Sequence, residues 1–285
     1  MRKKTAFDLV LLMLSLLCFM GTLYLREYTK LSLSASKNIP QTQGMFIAEN
    51  NIATPVNFAV ASKAANLRQT ISAEAYLVID ATSKQVLLEH ASRQYFYPAS
   101  TTKIITALVA GELYPPNQQL TITTTDLALG NSGHLRWGET YTVAQVLAAL
   151  LIESANEAAT TLANHSQGGY DYFVGLMNQK AKALNLSESY FTNPQGYDDN
   201  RQQASARDLA IASLELLRQP TLSSIVAKPV EKIVSNGGVV SNLVNTNQLY
   251  FLPHSYQIKG VKTGTEKLAK QVLVSLLEKD GQQRG

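Results

Sequence analysis

The pattern of apolar and polar positions predicts strands near both ends of the main body of the chain. Tyr76–Ile79 is a short aromatic and β-branched run that ends at Asp80, and residues 85–89 return after a turn at 82–84. This arrangement predicts an antiparallel hairpin. Apolar runs reappear after Pro229, and they predict strands around Val234, Val239–Val240, Ile258–Thr263 and Gln271–Leu277.

Between these strands the apolar residues recur every three or four positions, which predicts a block of helices. Their expected ranges are 98–111, 143–152 behind Thr142 as a cap, 158–163, 172–184, and 209–217 behind a Ser205–Asp208 capping box. Strands on both sides of a helical block predict an α+β fold. We expect an antiparallel sheet, assembled from distant parts of the chain and flanked by helices, with an inserted all-helical subdomain.

The start of the chain has a different pattern. Arg2, Lys3 and Lys4 precede an apolar run from Leu9 to Leu25, which is about the shortest length that can cross a bilayer as a helix. Two interpretations stay open, an uncleaved anchor with the rest of the chain outside the cytoplasm, or a secretory signal that is removed. The predicted organisation is therefore an anchor or signal over 1–30, a polar linker over 31–72 and a folded domain over 73–285.

Charge and cysteine content narrow the classes of function. The formal net charge is +4, but five basic and two acidic residues lie among the first 30, so the remainder carries only +1. A nearly neutral body argues against nucleic acid as a partner. The one cysteine, Cys18, lies in the apolar run, so no disulfide frames the fold.

Ser100-Thr101-Thr102-Lys103 is the strongest candidate for chemistry. At a helix start, Lys103 lies on the same face as Ser100 and within reach of its hydroxyl. A lysine acts as a base only if its pKa falls, which burial and a second cation both favour. Alone, the motif is more often a helix cap followed by a solvent-exposed lysine.

Two later tripeptides make the first motif specific. Ser154-Ala155-Asn156 interrupts two helices and can present a hydroxyl and an amide to a cleft, although a plain helix–helix turn is the alternative. Lys262-Thr263-Gly264 lies on a predicted strand, where an ammonium and a hydroxyl can bind a carboxylate and a glycine permits close approach. The three motifs together predict acyl transfer through a serine ester.

In these motifs and their surroundings the chain resembles the low-molecular-weight D-alanyl-D-alanine carboxypeptidases, serine penicillin-recognising enzymes of the β-lactamase/transpeptidase-like superfamily. The resemblance spans about residues 73–280. It rests on the stretches 97–103, 151–159, 191–196, 245–247 and 260–264.

The resemblance implies roles for individual residues. Ser100 would be the acylated nucleophile and Lys103 its general base, while Ser154 and Asn156 would relay protons and hold the substrate. Lys262, Thr263 and Gly264 would bind the terminal carboxylate, and the backbone N–H groups of Ser100 and Thr265 would form the oxyanion hole. The expected substrate is a peptidoglycan stem peptide ending in D-Ala-D-Ala, with β-lactams as inhibitors. No metal or organic cofactor is implied.

The chain also departs from the family pattern. Ala155, Glu266 and Lys270 stand where the family tends to have Gly, Thr and Gly, and the family fold continues beyond the last predicted strand, so we expect its C-terminal end to be missing here. These departures leave a non-catalytic relative that binds wall peptides as one alternative. A D-Ala-D-Ala endopeptidase and a β-lactamase are the others; Glu188 and Asn193 are the nearest candidates for the deacylating pair of a β-lactamase, but their spacing is wrong.

Overall fold

The structure is a computed structural model that describes residues 59–60, 71–253 and 255–279. The predicted anchor or signal over 1–30 lies outside these residues, as does nearly all of the predicted linker. Of the linker, residues 59–60 and 71–72 are described, and Ala59–Val60 (β1) pair in parallel with Gln85–His90 (β3). No helix within the described ranges has the length and apolar character that a membrane crossing requires.

The predicted first hairpin is confirmed. Tyr76–Ile79 (β2) pairs antiparallel with β3, with Tyr76 opposite His90. Along β3, Val86 and Leu88 are buried while Gln85 and Leu87 are exposed, the alternation of a strand with one face on the core. Tyr95–Phe96 (β4) then leads into the turn that carries Ser100.

Helices fill the middle of the chain and enclose most of the buried apolar residues. Their bounds are Lys103–Leu113 (α1), Thr124–Leu127 (α2), Val143–Leu151 (α3), Asn156–Asn164 (α4), Gly169–Ala183 (α5), Ala206–Arg218 (α6) and Pro220–Val226 (α7). Thr142 caps α3 as predicted, because its side chain accepts from Gln145 N and the Gln145 side chain accepts from Thr142 N.

The remaining strands form pairs around this helical block. Gln119–Thr121 (β5) pairs with Thr140–Thr142 (β6), and Ala204–Ser205 (β7) pairs with β4. Val230–Val234 (β8) and Val240–Val244 (β9) form a hairpin, and so do Tyr256–Glu266 (β10) and Lys270–Lys279 (β11).

The sheet differs in one respect from the expectation of early and late strands hydrogen-bonded together. Among the described residues, β2 and β3 belong to one ladder and β10 and β11 to another, with no hydrogen bonds between the two ladders. Helix α6 contacts both β2 and β11. Packing on one helix therefore brings the distant strands together without backbone pairing.

Candidate active site

Ser100 lies in a 3₁₀ turn, Ala99–Thr102, and not in the regular helix that the sequence predicted. The turn begins in a left-handed conformation, since Ala99 has a φ of +48°. Two glycines, Gly196 and Gly264, pack closely against the backbone of this turn. A Cβ on Gly196 would lie 2.0 Å from the Ala99 carbonyl oxygen, and one on Gly264 would lie 3.0 Å from the Ser100 nitrogen. The chain therefore holds the nucleophile turn between two backbone segments that side chains would push apart.

Lys103 is the first residue of α1, and it is completely buried. Its Nζ lies 3.0 Å from Ser100 Oγ, 2.8 Å from Asn156 Oδ1 and 2.6 Å from the Gln195 carbonyl oxygen. Burial holds the pKa of Lys103 well below its usual range, and the nearby Lys262 lowers it further.

This environment suits a neutral amine. A neutral Lys103 donates its two hydrogens to Asn156 Oδ1 and the Gln195 carbonyl, both of which are acceptors. Its lone pair then faces the Ser100 hydroxyl, the one neighbour that can donate a proton. The geometry matches that of a general base beside its nucleophile.

Asn156 and Ser154 come from the break between α3 and α4. Ser154 has a φ of +65°, a left-handed conformation that turns the chain sharply after α3, and Asn156 is the first residue of α4. Ala155 is buried there, and its N–H donates to the Ala149 carbonyl. Ser154 and Asn156 are both partly exposed, and Asn156 Oδ1 reaches the Lys103 amine.

Strand β10 supplies the second amine. Lys262 is 2% exposed, and its Nζ donates to the Thr263 carbonyl at 3.0 Å. Burial lowers the pKa of Lys262 to about 7, while the Glu153 carboxylate acts in the opposite direction. The hydroxyl of Thr263 lies 2.6 Å from that of Thr246. An anionic ligand beside this amine would raise its pKa again and so favour the charged ammonium form. A site that binds a carboxylate needs such a cation.

The hairpin between β10 and β11 carries Thr265 and two of the three departures from the family pattern, Glu266 and Lys270. Thr265 is exposed and pairs with Gln271 of β11. Glu266 pairs with Lys270, which takes a left-handed φ of +58°. Lys270 thus occupies a conformation that favours glycine, but the hairpin closes without one.

The structure adds residues that the sequence analysis gave no role. Gln195 supplies a carbonyl to Lys103, and Thr246 supplies a hydroxyl to Thr263. Glu157 is buried and accepts from both the backbone N–H and the hydroxyl of Ser132. Gln195 and Thr246 lie in stretches that carried the family resemblance, which was a usable signal, whereas a partner such as Ser132 can be found only in three dimensions.

The structure brings together six of the eight predicted site residues, whereas Ser154 and Thr265 adjoin them along the chain but show no hydrogen bond to the group among the described residues. Ser100, Lys103 and Asn156 are in direct contact, Gly264 packs on the Ser100 turn, and Lys262 is close enough to act on the charge of Lys103. Thr263 joins this group through the strand that it shares with Lys262. The described part of the chain contains no group of three or more His, Cys, Asp or Glu side chains arranged to hold a metal ion.

Comparisons with known proteins place this geometry in context. A family model described as D-alanyl-D-alanine carboxypeptidase matches residues 59–284. The chain is 32% identical to D-alanyl-D-alanine carboxypeptidase DacA of Escherichia coli over 227 residues, which cover 75% of this chain and 55% of that protein. It is also 32% identical to DacF of Bacillus subtilis, covering 73% of this chain and 54% of that protein. The chain thus spans about half the length of these curated relatives.

Solved structures give the same picture. The DD-transpeptidase of Streptomyces K15 superimposes with a TM-score of 0.68 at 25% identity, covering 74% of this chain and 87% of that one. A D-alanyl-D-alanine carboxypeptidase from Mycobacterium tuberculosis gives a TM-score of 0.64 at 30% identity, covering 70% and 75%. The α+β class and the β-lactamase/transpeptidase-like fold predicted from the sequence are confirmed.

Proposed function

Because this chain belongs to the D-alanyl-D-alanine carboxypeptidase family, we propose that it is a serine carboxypeptidase that removes the terminal D-alanine from peptidoglycan stem peptides. The observation that carries the proposal is the buried amine of Lys103, 3.0 Å from the Ser100 hydroxyl. The two flanking acceptors leave its lone pair free for that hydroxyl.

The proposed reaction proceeds in two halves. Ser100 Oγ attacks the carbonyl of the penultimate D-alanine while Lys103 takes the hydroxyl proton, and the N–H groups of Ser100 and Thr265 hold the oxyanion. The proton returns through Ser154 to the leaving D-alanine nitrogen, and an ester on Ser100 remains. Water then attacks the ester with Lys103 as base, which releases the shortened peptide and restores the serine.

Substrate binding is proposed to rest on the second amine. The terminal carboxylate would pair with the Lys262 ammonium and accept a hydrogen bond from the Thr263 hydroxyl, while Asn156 would donate to the peptide. A β-lactam carries a carboxylate and a reactive amide carbonyl, so it would occupy the same positions and acylate Ser100.

Labelling with a fluorescent penicillin tests the nucleophile. The full chain in detergent should form a covalent adduct that survives denaturing gel electrophoresis. Ser100→Ala should abolish the adduct, whereas Ser224→Ala should keep it, because Ser224 is exposed and its hydroxyl bonds only within α7. Equal labelling of wild type and Ser100→Ala would refute the assignment.

Transfer to an amine is a second candidate, since the Streptomyces K15 neighbour is a DD-transpeptidase. Both reactions share the ester on Ser100 and differ in whether water or an amine attacks it. Incubating a diacylated peptide ending in D-Ala-D-Ala with and without added glycine separates them. Free D-alanine with an unextended product supports hydrolysis, and a glycine-extended product supports transfer.

Two further alternatives have their own tests. Cleavage of cross-linked muropeptides tests the endopeptidase alternative, and the lifetime of the penicilloyl adduct tests the β-lactamase alternative.

The proposed location is the outer face of the cytoplasmic membrane. It is supported by the basic residues Arg2, Lys3 and Lys4 ahead of the apolar run Leu9–Leu25. Intact mass of the chain isolated from membranes tests it. A full-length mass supports the anchor, and a mass lacking the first segment supports a cleaved signal with secretion.

A further inference from the structure

Tyr197 lies beside the candidate catalytic residues but belongs to none of the three sequence motifs. Its hydroxyl donates to the carbonyl of Leu129. Its backbone is held as well, because its N–H donates to Asn193 Oδ1 at 2.9 Å and its carbonyl accepts from Gln202 Nε2 at 3.1 Å. The phenol ring is thus fixed at both ends.

The space around Gly130 shows which side of Asn156 faces this hydroxyl. A Cβ on Gly130 would lie 2.4 Å from Tyr197 Oη and 3.4 Å from Asn156 Nδ2, so both atoms border the same small volume. Burial and the Glu266 and Glu157 carboxylates raise the pKa of Tyr197, while the Asn156 side chain acts on it in the opposite direction. The shared volume at Gly130 therefore places the NH₂ side of the Asn156 amide on the side of the phenol oxygen.

The direction of hydrogen bonding in this chain of groups is fixed from one end. A backbone carbonyl only accepts, so the Tyr197 hydroxyl proton is committed to Leu129. The phenol oxygen can then only accept from Asn156, which calls for the NH₂ side of the amide. With Nδ2 directed at Tyr197, Oδ1 is directed at Lys103, where it lies 2.8 Å from Nζ.

We infer that Tyr197 is a positioning residue, whose hydroxyl selects the orientation of the Asn156 amide that leaves the Lys103 lone pair for Ser100. The inference rests on the proposed function, since it concerns the base of that reaction. If the amide turned over, Nδ2 would face Lys103 and donate to the lone pair, in competition with the Ser100 hydroxyl. The Lys103 lone pair would then accept from Asn156 and could not take the proton of Ser100.

Tyr197→Phe tests the inference, because it removes only the hydroxyl. The second-order rate of acylation by a fluorescent penicillin is measured from pH 5 to 9 on the full chain in detergent. We expect the plateau rate to fall by a factor of about 5 to 50. We also expect the acidic limb of the profile to move to lower pH, because an amide N–H beside Lys103 disfavours its ammonium form. The charged groups around Lys103, which are Lys262, Glu157 and Glu266, stay unchanged in this variant.

Tyr114→Phe is the matched control. The Tyr114 hydroxyl also donates to a backbone carbonyl, that of Leu162 at 2.7 Å, but it has no link to Asn156. Loss of this hydroxyl should change thermal stability and leave both the plateau and the acidic limb at their wild-type values. A lesion that is only structural would behave like this control.

Gly130→Ala provides a second route, since its new methyl would displace the hydroxyl; Gly133→Ala, also at a positive φ but with no atom within 4 Å of its new methyl, is the control for backbone strain and should keep the wild-type rate. It should lower the plateau rate, and the double variant with Tyr197→Phe should lose no more than the worse single variant. It also decides the case if circular dichroism shows Tyr197→Phe to be unfolded. A wild-type plateau, an unmoved acidic limb or multiplying losses would overturn the inference while Ser100-dependent labelling of the wild type still stood. Absence of labelling in the wild type would instead overturn the proposed function.

Discussion

Two clusters of like-charged side chains, each with at least one buried member, lie in different parts of the molecule, and they differ in what surrounds them. In the first, the charge of Lys262 acts on Lys103, which lies beside Ser100. In the second, Asp208 at the start of α6 lies beside Glu188. Burial shifts the pKa of three of these groups towards the neutral form, downwards for Lys103 and Lys262 and upwards to about 6 for Asp208.

The difference between the clusters is in their hydrogen-bond partners. The Asp208 carboxylate accepts from the Glu188 N–H at 2.9 Å and from the Ser189 hydroxyl at 2.7 Å, so it ties a loop to a helix. Ser189 is partly exposed, as Ser100 is, so a serine hydroxyl beside the perturbed group does not separate the two clusters. Lys103 differs because Asn156 and the Gln195 carbonyl, from two other parts of the chain, also bind its amine. A perturbed pKa therefore indicates chemistry only where further functional groups converge on the perturbed residue.

The largest effect expected in this comparison comes from Lys103→Met. The variant removes the base but keeps the length of the side chain, so acylation by a penicillin should slow by a factor of 10³ or more. Stopped-flow labelling measures the rate, and circular dichroism checks the fold. Lys232→Met on the exposed face of β8 is the control, and it should label at the wild-type rate. Labelling of Lys103→Met within tenfold of wild type would contradict the assigned base.

Lys262→Met should separate function from stability. We expect kcat/KM for a diacylated D-Ala-D-Ala peptide to fall by about 10² to 10³, because the substrate carboxylate loses its cation. The folded state disfavours the Lys262 proton, so between pH 7 and the ordinary value of 10.5 it binds fewer protons than the unfolded state, and wild-type stability from this group rises with pH.

Below pH 7 the burial of Lys262 costs most, so Lys262→Met should exceed wild type in unfolding free energy by about 2–4 kcal/mol at pH 6. Urea denaturation measures this difference, which should shrink towards pH 10. A difference that does not change with pH would show that the buried amine is not its source.

Asp208→Asn should stabilise the protein without changing its reaction. The folded state favours the protonated carboxyl, so the stabilisation from this group is complete below the ordinary value of 3.8 and is lost as pH rises through about 6. Asparagine resembles the protonated form and keeps an acceptor for the Glu188 N–H. We expect a gain of about 1–3 kcal/mol at pH 7.5 that disappears near pH 4, with unchanged penicillin labelling. Lower activity in this variant would contradict the view that the Asp208 cluster has only a structural role.

The smallest effect concerns the hydroxyl pair Thr246 and Thr263. Thr246→Val removes a partner of Thr263, and kcat/KM should fall by a factor of about 2 to 5 through a larger KM. Thr121→Val is the matched control, because Thr121 forms the same kind of pair with Thr140, 2.8 Å apart, in another hairpin. Steady-state kinetics on both variants distinguish a local effect at the site from a general loss of stability.

Local patterns predicted much of the fold. The β2–β3 hairpin and helix α3 behind Thr142 were predicted because their signals, alternating apolar and polar positions and a capping residue, depend only on residues close together in the sequence. The 3₁₀ turn at Ser100 was not, because Gly196 and Gly264 impose it from distant parts of the chain. The separation of the β10–β11 ladder from β2–β3 was missed for a similar reason, since strand signals do not say which strands pair.

The same contrast applies to the site. Ser100, Lys103 and Asn156 were identified from two of the three motifs, and the structure places them in contact. Tyr197 was not identified, because one tyrosine in a polar loop has no pattern of its own. The role inferred for Tyr197 depends on the positions of Leu129 and Gly130, and these are known only from the folded structure.

The two glycines around Ala99 have a consequence for the biogenesis of the protein. The left-handed turn at Ala99 is unfavourable in isolation, and the segments that clamp it come from positions 196 and 264, long after Ser100 has been synthesised. A nascent or half-folded chain therefore cannot hold Ser100 in its reactive conformation. Under the proposed function, covalent capture by a penicillin should report complete maturation, because the Ser100 turn closes only once the β10–β11 hairpin has docked.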